Sequence, residues 1–354
     1  MTLRLRHETL ETPFKDPFKI ARASDSARAV TVIVTLVDDV DGATGVGEGF
    51  PDRYYGETPE TMATVFPLLL DAVLPLEAGL RGDLATVRRT LEDAGAAMDR
   101  AIGHHGAAKC AIDIALHDLA ARRLGIPLYE LLGLSPDIPP TDFTLGIDEP
   151  DIVARRARKA ILFPALKIKL GGPADIETLR AVRKVYSRPI RVDANTGWTL
   201  HDAVFLAPVM QEMGVELIEQ PFPAHRLADL GALQDQTGLP IVADESAVTI
   251  DDLEGLVGIV RGVNVKLAKA GGVGPAMRML RRARELGFRT FLGCMEETSV
   301  GIAASAAVAS LADWVDLDGS LLLAEDPFEG LALGSDFRWQ LTDRPGLGVS
   351  RRVS

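Results

Sequence analysis

Three carboxylates at almost equal intervals along the chain constrain its fold most strongly. Asp193, Glu219 and Asp244 lie 26 and 25 residues apart, and each stands at the carboxyl end of a short apolar run. Such runs are typical of buried parallel strands, and the interval matches one strand–loop–helix–loop unit. Side chains at the same end of successive strands converge only if the sheet closes, and a β/α barrel carries its active site at that end. The spacing therefore predicts a barrel with three acids at its mouth.

The same alternation of strands and helices continues on both sides of these acids. The predicted strands are TDFTLG, ALKIKL, IRVDAN, ELIEQ, IVADE, VNVKL, RTFLGC and WVDLD, with helical segments between them. Eight strands with seven intervening helices predict an α/β fold, a (β/α)7β modified TIM barrel that lacks its last helix. We place this barrel domain at residues 131–319.

The residues before the barrel follow other patterns. Residues 1–50 alternate polar and apolar side chains, which predicts an antiparallel meander with a hairpin turn at Asp41 and Gly42. Residues 58–124 then follow a helical period. We therefore assign residues 1–130 to an α+β capping domain, and we expect the irregular segment 320–354 to return and pack on it.

Composition argues against several classes of partner. The chain carries 38 basic and 50 acidic residues, and its net charge of −12 opposes binding to nucleic acids or to anionic membranes. We find no unbroken apolar run of membrane-spanning length and no signal-peptide pattern at its start. Cys110 and Cys294 lack metal-ligand spacing and are typical of free thiols in a reducing compartment. These features predict a cytoplasmic protein.

The three acids predict a metal site. They form an all-oxygen set without a thiol or an imidazole, which suits a hard divalent cation. We predict Mg²⁺, with Mn²⁺ as the substitute. A single carboxylate at such a place is more often a helix cap or a partner of a lysine, but three in register favour a metal.

Lysines from two opposite sides of the predicted barrel face this site. Lys167 and Lys169 are two residues apart on the second strand and share a face, while Lys266 ends the sixth strand. A carboxylate substrate on the metal would expose its α-carbon to Lys169 and Lys266, and Lys167 would stabilise the enolate. One amine would take the α-proton and the other would return one from the opposite side, which inverts the carbon. The alternative is that these lysines only neutralise the acids.

Other residues near the strand ends receive simpler interpretations. A lysine acts as a base near neutral pH only if its pKa falls, and neighbouring cations lower it. Lys269, in KLAKAGG, is predicted to lie at a helix start or on the surface. None of the six histidines stands at a predicted strand end, and His117 is expected at a helix surface or a domain contact.

The ordered motifs KIK, DAN, IEQP, ADES, NVKLAKAGG and DLD resemble those of the enolase superfamily, in particular the dipeptide epimerases of its muconate-lactonizing subgroup. The resemblance covers nearly the whole chain and implies a capping domain, formed by both chain ends, on a (β/α)7β barrel. It also implies homo-oligomers. The magnesium ligands that it implies are Asp193, Glu219 and Asp244; the acid/base pair is Lys169 and Lys266, with Lys167 on the substrate carboxylate.

The same resemblance implies that Asp316 and Asp318 bind the α-ammonium group of a dipeptide. Cycloisomerases and o-succinylbenzoate synthases of this subgroup share the metal and the lysines, but their substrates carry no ammonium group. They are the nearest alternative, and a non-catalytic metal-binding barrel is the alternative of another class. The mandelate-racemase subgroup needs a histidine after the seventh strand, where this chain has LGCMEET.

The substrate's side chains are expected to meet two capping loops, residues 17–26 and 50–58. By resemblance, epimerases that act on L-Ala-D/L-Glu hold the glutamate with a basic residue of the first loop, here Lys19 or Arg22. Glu296 would instead favour a cationic or hydrogen-bonding side chain. Tyr54 of the second loop is a further substrate-binding candidate. We expect the substrate to be a dipeptide with a polar or basic second residue.

Overall fold

The capping region is built on a three-stranded antiparallel sheet. A computed structural model describes residues 3–352 of the chain. The predicted meander is formed by β1 (Leu3–Ile20), β2 (Ala23–Asp38) and β3 (Thr44–Gly49), in the order β1-β2-β3. Gly42 has a positive φ of 71° at the hairpin turn between β2 and β3. Residues 1–2 and 353–354 of the predicted capping domain lie outside the described residues.

Four helices follow this sheet, and glycines let one of them lie directly on it. The helices are α1 (Pro59–Val73), α2 (Leu84–Ala101), α3 (Gly106–Leu124) and α4 (Leu128–Leu132). Gly45, Gly47 and Gly49 alternate along β3, and a Cβ added at any of them would lie 2.0–2.2 Å from a backbone carbonyl oxygen of α3. Only glycine permits this approach. The helix α3 therefore packs with its backbone against the sheet.

One segment of the capping region resembles a membrane span in composition. Pro59–Arg81 has a mean hydropathy of 1.6, and 33% of its most apolar window is buried. In the structure it divides into α1 and a 3-10 stretch, Leu74–Arg81, and its buried side chains belong to the hydrophobic core. Length and composition alone are weak evidence for a span, because a core helix of a soluble protein passes the same test.

The second region is a nearly closed barrel of eight parallel strands in sequence order, which confirms the predicted α/β barrel fold. A parallel bridge between Thr141 and Val315 joins its two ends. The strands are β4 (Phe143–Leu145), β5 (Leu166–Lys169), β6 (Ile190–Asp193), β7 (Val215–Glu219), β8 (Ile241–Ala243), β9 (Gly262–Val265), β10 (Arg289–Gly293) and β11 (Trp314–Asp316).

Helices cover the outside of the barrel. They are α5 (Pro150–Lys159), α6 (Asp175–Arg183), α7 (Leu200–Glu212), α8 (Leu227–Gln236), α9 (Leu267–Ala270), α10 (Val273–Glu285) and α11 (Ser299–Ala306). Between β8 and β9 the chain forms two short 3-10 turns, Ile250–Asp252 and Glu254–Leu256, where the sequence pattern predicts a helix. Gly255 and Gly258 interrupt this interval, and Gly258 adopts a positive φ of 77°, so a longer helix does not form there.

The C-terminal segment leaves the barrel and reaches the capping region. It contains α12 (Gly319–Leu322) and the short strands β12 (Phe328–Glu329), β13 (Ala332–Leu333), β14 (Trp339–Gln340) and β15 (Ser350–Arg351). Asp118 of α3 accepts a hydrogen bond of 2.8 Å from the backbone N–H of Leu347. The backbone N–H of Leu128 in turn donates 2.9 Å to the carbonyl of Gly346.

Carboxylates of the capping region occupy the amino ends of two barrel helices. Glu48 of β3 accepts hydrogen bonds from the backbone N–H groups of Thr298 and Gly301 at α11, at 3.0 and 2.8 Å. Asp113 of α3 does the same for Val273 of α10, at 2.6 Å. The first N–H groups of a helix have no partner within it, and together with the helix dipole they favour a negative charge at these positions. The two regions are therefore joined by buried, charge-assisted hydrogen bonds.

A second buried acid lies beside Glu48. Glu297 is only 1% exposed, and its Oε1 has no hydrogen-bond partner among the described residues. Burial and the negative charge of Glu48 raise the pKa of Glu297 to about 8; Glu296 adds to this effect and Lys266 opposes it. We expect Glu297 to be protonated at neutral pH.

Glu297→Gln should change how stability depends on pH. The pKa of this carboxyl group rises from 4.5 in the unfolded chain to about 8 in the folded protein. Its contribution to stability is therefore complete below pH 4.5 and is lost as the pH rises through about 8. We expect the wild type to lose on the order of a few kcal/mol of unfolding free energy between pH 5 and 9 from this group, and the neutral variant to keep it. Urea denaturation over this pH range measures the difference. Glu92→Gln, at an exposed acid, is the control, and parallel pH curves for wild type and Glu297→Gln would contradict the assignment.

Candidate active site

The three predicted metal-binding acids meet at the mouth of the barrel. Asp193 ends β6, Glu219 ends β7 and Asp244 directly follows β8. The parallel register pairs Asp193 with Glu219 across β6 and β7. One carboxylate oxygen from each acid lies within 4.8 Å of the others, and all three residues are 0% exposed. The sheet register thus brings together residues that are far apart in sequence.

The three predicted lysines surround these acids. Lys167 Nζ lies 3.3 Å from Asp193, 2.9 Å from Glu219 and 2.8 Å from Asp316. The other two amines each lie beside a different acid. Lys169 Nζ lies 2.7 Å from Asp193 Oδ2, and Lys266 Nζ lies 2.9 Å from Asp244 Oδ2. Lys167 and Lys169 approach the acids from β5, which adjoins β6. Lys266 approaches them from the end of β9, which lies three strands from β6 around the barrel.

The donor set fits a hard divalent cation. Glu219 Oε2 and Asp244 Oδ2 are buried and lack a well-aligned hydrogen bond from the described residues, although the ammonium groups of Lys167 and Lys266 lie 2.9 Å from them. Burial and the negative charge of Asp193 raise the pKa of Glu219 to about 7. Three carboxylates held this close repel one another, and a divalent cation relieves that repulsion. Their oxygen chemistry suits Mg²⁺ or Mn²⁺, and the oxygens are close enough to converge on one ion.

The lysines and acids also control one another's protonation. Burial raises the pKa of Asp244, but the ammonium groups of Lys266 and Lys269 outweigh it and hold the pKa well below the ordinary range. Burial lowers the pKa of Lys266, but Asp244 outweighs it and raises the pKa above the ordinary value. From the sequence we expected neighbouring cations to dominate the pKa of a base lysine. In the structure the ammonium of Lys266 instead lies 2.9 Å from the carboxylate of Asp244.

Lys269 lies at a helix start, in α9, as one of the two alternatives expected, but it is buried in the site and not on the surface. Its side chain is fully buried, and Nζ donates to the carboxylate of Asp244 and, at 2.6 Å, to the backbone carbonyl of the same residue. It also donates at 3.0 Å to the carbonyls of Ala247 and Asn264. The single turn of α9 explains this placement, because residues three apart lie on one helix side and Lys269 follows Lys266 inward. The K-x-x-K spacing after a buried strand was the signal.

Asp316 and Asp318 face the same mouth. Thr144 of β4 donates from its backbone N–H to Asp318 Oδ2 at 2.6 Å and from its hydroxyl to Asp316 Oδ1 at 3.1 Å. Burial raises the pKa of Asp316, but the ammonium of Lys167 outweighs it and keeps the pKa below its usual range. Burial and the charge of Asp316 raise the pKa of Asp318 well above normal. Asp316 is thus paired with Lys167, whereas Asp318 would ionise more readily beside a further cationic group.

The first capping loop reaches the barrel through Arg22. Its Nε lies 3.3 Å from Glu245 Oε1, its Nη1 lies 3.2 Å from Asp52 Oδ2, and its guanidinium stacks 4.5 Å from the ring centre of Tyr54. Burial and the negative charge of Asp244 raise the pKa of Glu245 to about 7. Tyr54 is 41% exposed. Arg22 therefore links both capping loops to the residue next to a predicted metal ligand.

The predicted specificity residues line different cavities, and Tyr54 lines one of about 600 Å³. A cleft of about 690 Å³ is lined by Arg22 and Glu296, so Glu296 faces the same space as the first capping loop. A cavity of about 420 Å³ is lined by Lys19 and Lys169. Lys19 and Arg22 thus lie in different cavities. A further cavity has a volume of about 510 Å³ and is lined by residues of β4, α5 and the C-terminal segment.

Sequence reasoning missed polar residues that stand just beside the acids. Asn264 donates from Nδ2 to Glu219 Oε1 at 2.8 Å, and Gln220 accepts the backbone N–H of Asp244 at 2.8 Å. Asn195 donates from Nδ2 to Asp193 Oδ2 at 3.3 Å. Asn195 and Gln220 adopt positive φ values of 40° and 31°, a strain that clusters at functional sites. The motifs DAN, EQP and VNVK carried these residues, but their partners are set only by the closed barrel.

Comparison with known proteins agrees with this arrangement. Residues 152–352 match the family described as enolase C-terminal domain-like, and residues 3–133 match the mandelate racemase / muconate lactonizing enzyme N-terminal domain. An L-Ala-D/L-Glu epimerase of Bacteroides thetaiotaomicron is 36% identical over 96% of this chain and 86% of its own length. A hydrophobic dipeptide epimerase of Roseobacter litoralis is 40% identical over 98% of both chains. A dipeptide epimerase from Enterococcus faecalis, complexed with Mg and L-Leu-L-Tyr, superposes with a TM-score of 0.86 at 31% identity, covering 99% of this chain and 100% of that one.

Lys269→Met should destabilise the protein strongly. Methionine fills similar space but leaves the Asp244 carboxylate and three carbonyl groups without their shared donor. Removing one member of a buried ion pair costs about 3–5 kcal/mol. Denaturation by urea in EDTA measures this loss, with Lys184→Met at an exposed lysine as the control. A loss below about 1 kcal/mol would show that the contact carries little of the stability.

Proposed function

Because the chain belongs to the dipeptide epimerases of the enolase superfamily, and is thus an isomerase, we propose that it inverts the α-carbon of the second residue of an L,L-dipeptide with Mg²⁺ as cofactor. The observation that carries this proposal is the pair of buried amines, Lys169 and Lys266, on two flanks of one acid cluster. A metal site needs only the acids. Two amines on separate strands suit a reaction in which a proton leaves one face of a carbon and another is added to the opposite face.

Asp193, Glu219 and Asp244 would hold the cation. When bound, Mg²⁺ supplies positive charge to the substrate carboxylate and so makes the α-proton easier to remove. The residues around it have their own tasks. Lys167, which contacts both Asp193 and Glu219, adds a second positive charge at the same carboxylate. The burial of the whole set excludes water and strengthens these interactions.

Lys169 and Lys266 would carry out the two proton transfers at the α-carbon. One amine, in its neutral form, removes the α-proton, and the electron pair of the C–H bond moves into the carboxylate to give an enolate. The other, as an ammonium, returns a proton to the opposite face, so the carbon is inverted and the two lysines exchange roles in the reverse direction. The Asp244 carboxylate raises the pKa of Lys266. Additional positive charge at Asp244 would offset this effect and so lower the pKa of Lys266.

Asp316 and Asp318 favour an epimerase over the related cycloisomerase and synthase reactions. Their carboxyl groups share Thr144 as a donor and lie beside Lys167. The α-ammonium group of a dipeptide would favour the ionised form of Asp318 and could pair with it. A dianionic substrate without an amine would be repelled by the same pair. The arrangement therefore supports a substrate with a free amino terminus.

The charges of the cleft favour a neutral polar or basic second residue. Arg22 already faces two carboxylates, Asp52 and Glu245, so little of its positive charge is available to a glutamate side chain. The charged groups that line the cleft are five acids and three arginines: Glu11, Asp52, Glu57, Glu60 and Glu296, with Arg22, Arg28 and Arg53. Such an excess of acids disfavours an anionic ligand. The proposed assembly into homo-oligomers and the cytoplasmic location stay predictions from the sequence.

Lys169→Ala and Lys266→Ala test the two-amine proposal. Each variant should lose epimerisation by a factor of about 10²–10⁴. Each should still exchange the α-proton of one diastereomer with deuterated water, and the two variants should keep opposite diastereomers, because each amine reaches one face. Mass spectrometry and chiral chromatography of a small dipeptide library give both readouts, with Lys184→Ala as the control. Unchanged turnover in both variants would overturn the two-amine mechanism, and the absence of exchange and epimerisation in wild type would favour a non-catalytic metal-binding barrel.

Glu296→Lys tests the proposed charge preference. For wild type, kcat/KM should be higher for L-Ala-L-Gln and L-Ala-L-Lys than for L-Ala-L-Glu. Reversal of the charge at Glu296 should raise the ratio of the glutamate to the lysine substrate by about tenfold or more, since the cleft then loses one acid and gains one base. Asp235→Lys on α8, at an exposed acid outside the cleft, is the matched control. A wild type that prefers L-Ala-L-Glu would overturn the preference but leave the epimerase reaction in place.

A further inference from the structure

Charged side chains continue below the mouth, into the interior of the barrel. Arg191 lies on β6 and Asp142 directly precedes β4. Asp142 is 0% exposed, and its Oδ2 accepts a hydrogen bond of 2.9 Å from Arg191 Nη1. The interior of a β/α barrel is usually filled by layers of apolar side chains. The apolar cluster beside this pair consists of Leu217, Val242, Phe291 and Trp314. Because Asp142 is shielded from water, its protein partners decide whether it carries a charge.

The second partner of Asp142 is the carboxyl group of Asp316. The backbone N–H of Asp142 donates to the carbonyl of Val315 at 3.1 Å, which places Asp142 beside the strand that ends in Asp316. The two carboxyl groups are within hydrogen-bonding reach of each other. Asp142 Oδ1 receives no hydrogen bond from an N–H or hydroxyl group of the described residues. An ionised carboxyl group can only accept, so a hydrogen bond between the two acids requires a proton on one of them.

The surrounding charges place this proton on Asp142. Burial and the negative charge of Asp316 raise the pKa of Asp142 well above its usual range, and the guanidinium of Arg191 does not outweigh them. Arg191 is also shared with Glu216 of β7, whose Oε2 accepts from Nε at 2.9 Å. Asp316 has the ammonium of Lys167 at 2.8 Å, which favours its ionised form. The charged and titratable groups that act on Asp142 are Asp316, Arg191, Lys167 and Tyr186.

We propose that Asp142 is a positioning residue: its protonated carboxyl group donates a hydrogen bond to Asp316 and thereby keeps the Asp316 carboxylate on the ammonium of Lys167. This inference rests on the proposed epimerase function, in which Lys167 acts on the substrate carboxylate. Asp316 then has three donors, since the hydroxyl of Thr144 lies 3.1 Å from its Oδ1 and Lys167 lies 2.8 Å from its Oδ2. If Asp142 were ionised, the two carboxylates would repel each other and Asp316 would turn away from Asp142.

The position of Lys167 affects both directions of the proposed reaction. Its Nζ lies between Asp316 and the acids Asp193 and Glu219, at 2.8, 3.3 and 2.9 Å. The enolate that it would stabilise is common to both directions. A shift of about 1 Å in a group that acts on the reacting atoms can lower the rate by about 10²-fold. Loss of the Asp142 contact should therefore slow proton removal from both diastereomers alike, whereas loss of Lys169 or Lys266 affects one face.

Asp142→Ala and Asp142→Asn test the inference. Alanine removes the donor to Asp316, whereas asparagine keeps a donor for Asp316 and an acceptor for Arg191. Asp142→Ala should lower kcat by about 10–100-fold for both epimers of the best dipeptide in the library, with KM within about threefold of wild type, and Asp142→Asn should regain most of this loss. Exchange of the α-proton in deuterated water, started from each epimer, measures both directions.

Glu216→Ala is the matched control for damage inside the barrel. Glu216 is the other carboxylate partner of Arg191, at 2.9 Å, and its side chain is 34% exposed. The substitution removes an ion pair of Arg191 but leaves the contact between Asp142 and Asp316. Its kcat should stay within about threefold of wild type.

Infrared spectroscopy provides a readout that a loss of packing does not change. A protonated carboxyl group has a C=O stretching band separate from the bands of a carboxylate. The difference spectrum between wild type and Asp142→Asn at neutral pH should contain one such band, and ¹³C-labelling of the aspartates should shift it. This measurement decides the protonation of Asp142 even if Asp142→Ala does not fold.

The outcomes separate this inference from the function on which it rests. A carboxylate band for Asp142, or unchanged kcat in Asp142→Ala, would overturn the positioning role and leave the epimerase in place. An equal loss in Asp142→Asn or in Glu216→Ala, or a loss confined to one epimer, would do the same. Wild type that exchanges the α-proton of no dipeptide would remove the proposed function, and the positioning role with it.

Discussion

The buried charges at the mouth of the barrel are the constraint on which the rest of the structure depends. Removal of one ion from water costs several kcal/mol, and this site buries acids and amines together. Each lysine lies within 3.3 Å of at least one carboxylate, and Lys167 contacts three of them. Without the amines the acids would take up protons or remain exposed to water. The barrel is thus the frame that holds opposite charges at fixed distances.

The capping region protects this arrangement through its own buried acids. Glu48 and Asp113 occupy the amino ends of α11 and α10, so the region is attached where the barrel helices carry partial positive charge. Gly106, at the start of α3, packs so closely that an added Cβ would lie 2.5 Å from the carbonyl oxygen of Lys269. The turn that carries Lys266 and Lys269 is therefore held from both sides. His117 Nδ1, on the same helix, lies 2.8 Å from the carbonyl oxygen of Asp113 one turn earlier, and a Cβ added at Gly274 of α10 would lie 3.9 Å from its Cε1.

The sequence predicts the frame well because local pattern and geometry agree there. Apolar runs that end in Asp193 or Glu219 require little more than strand periodicity and a closed sheet to become neighbours. The buried contacts of Lys269 were missed because its four acceptors come from two separate segments, the residues after β8 and strand β9, which no local pattern reveals. Arg22 was found as a charged loop residue, but its pairing with Asp52 and Glu245 depends on how two loops close over the barrel. Long-range side-chain contacts therefore mark the limit of sequence reasoning.

One aromatic ring, that of Phe18, forms part of the wall of two cavities. A smaller residue at this position would enlarge both spaces at once, and a bulkier one would narrow both. Substitutions on either side of the ring would therefore combine non-additively. Divergence within such a protein would proceed by paired replacements across this ring.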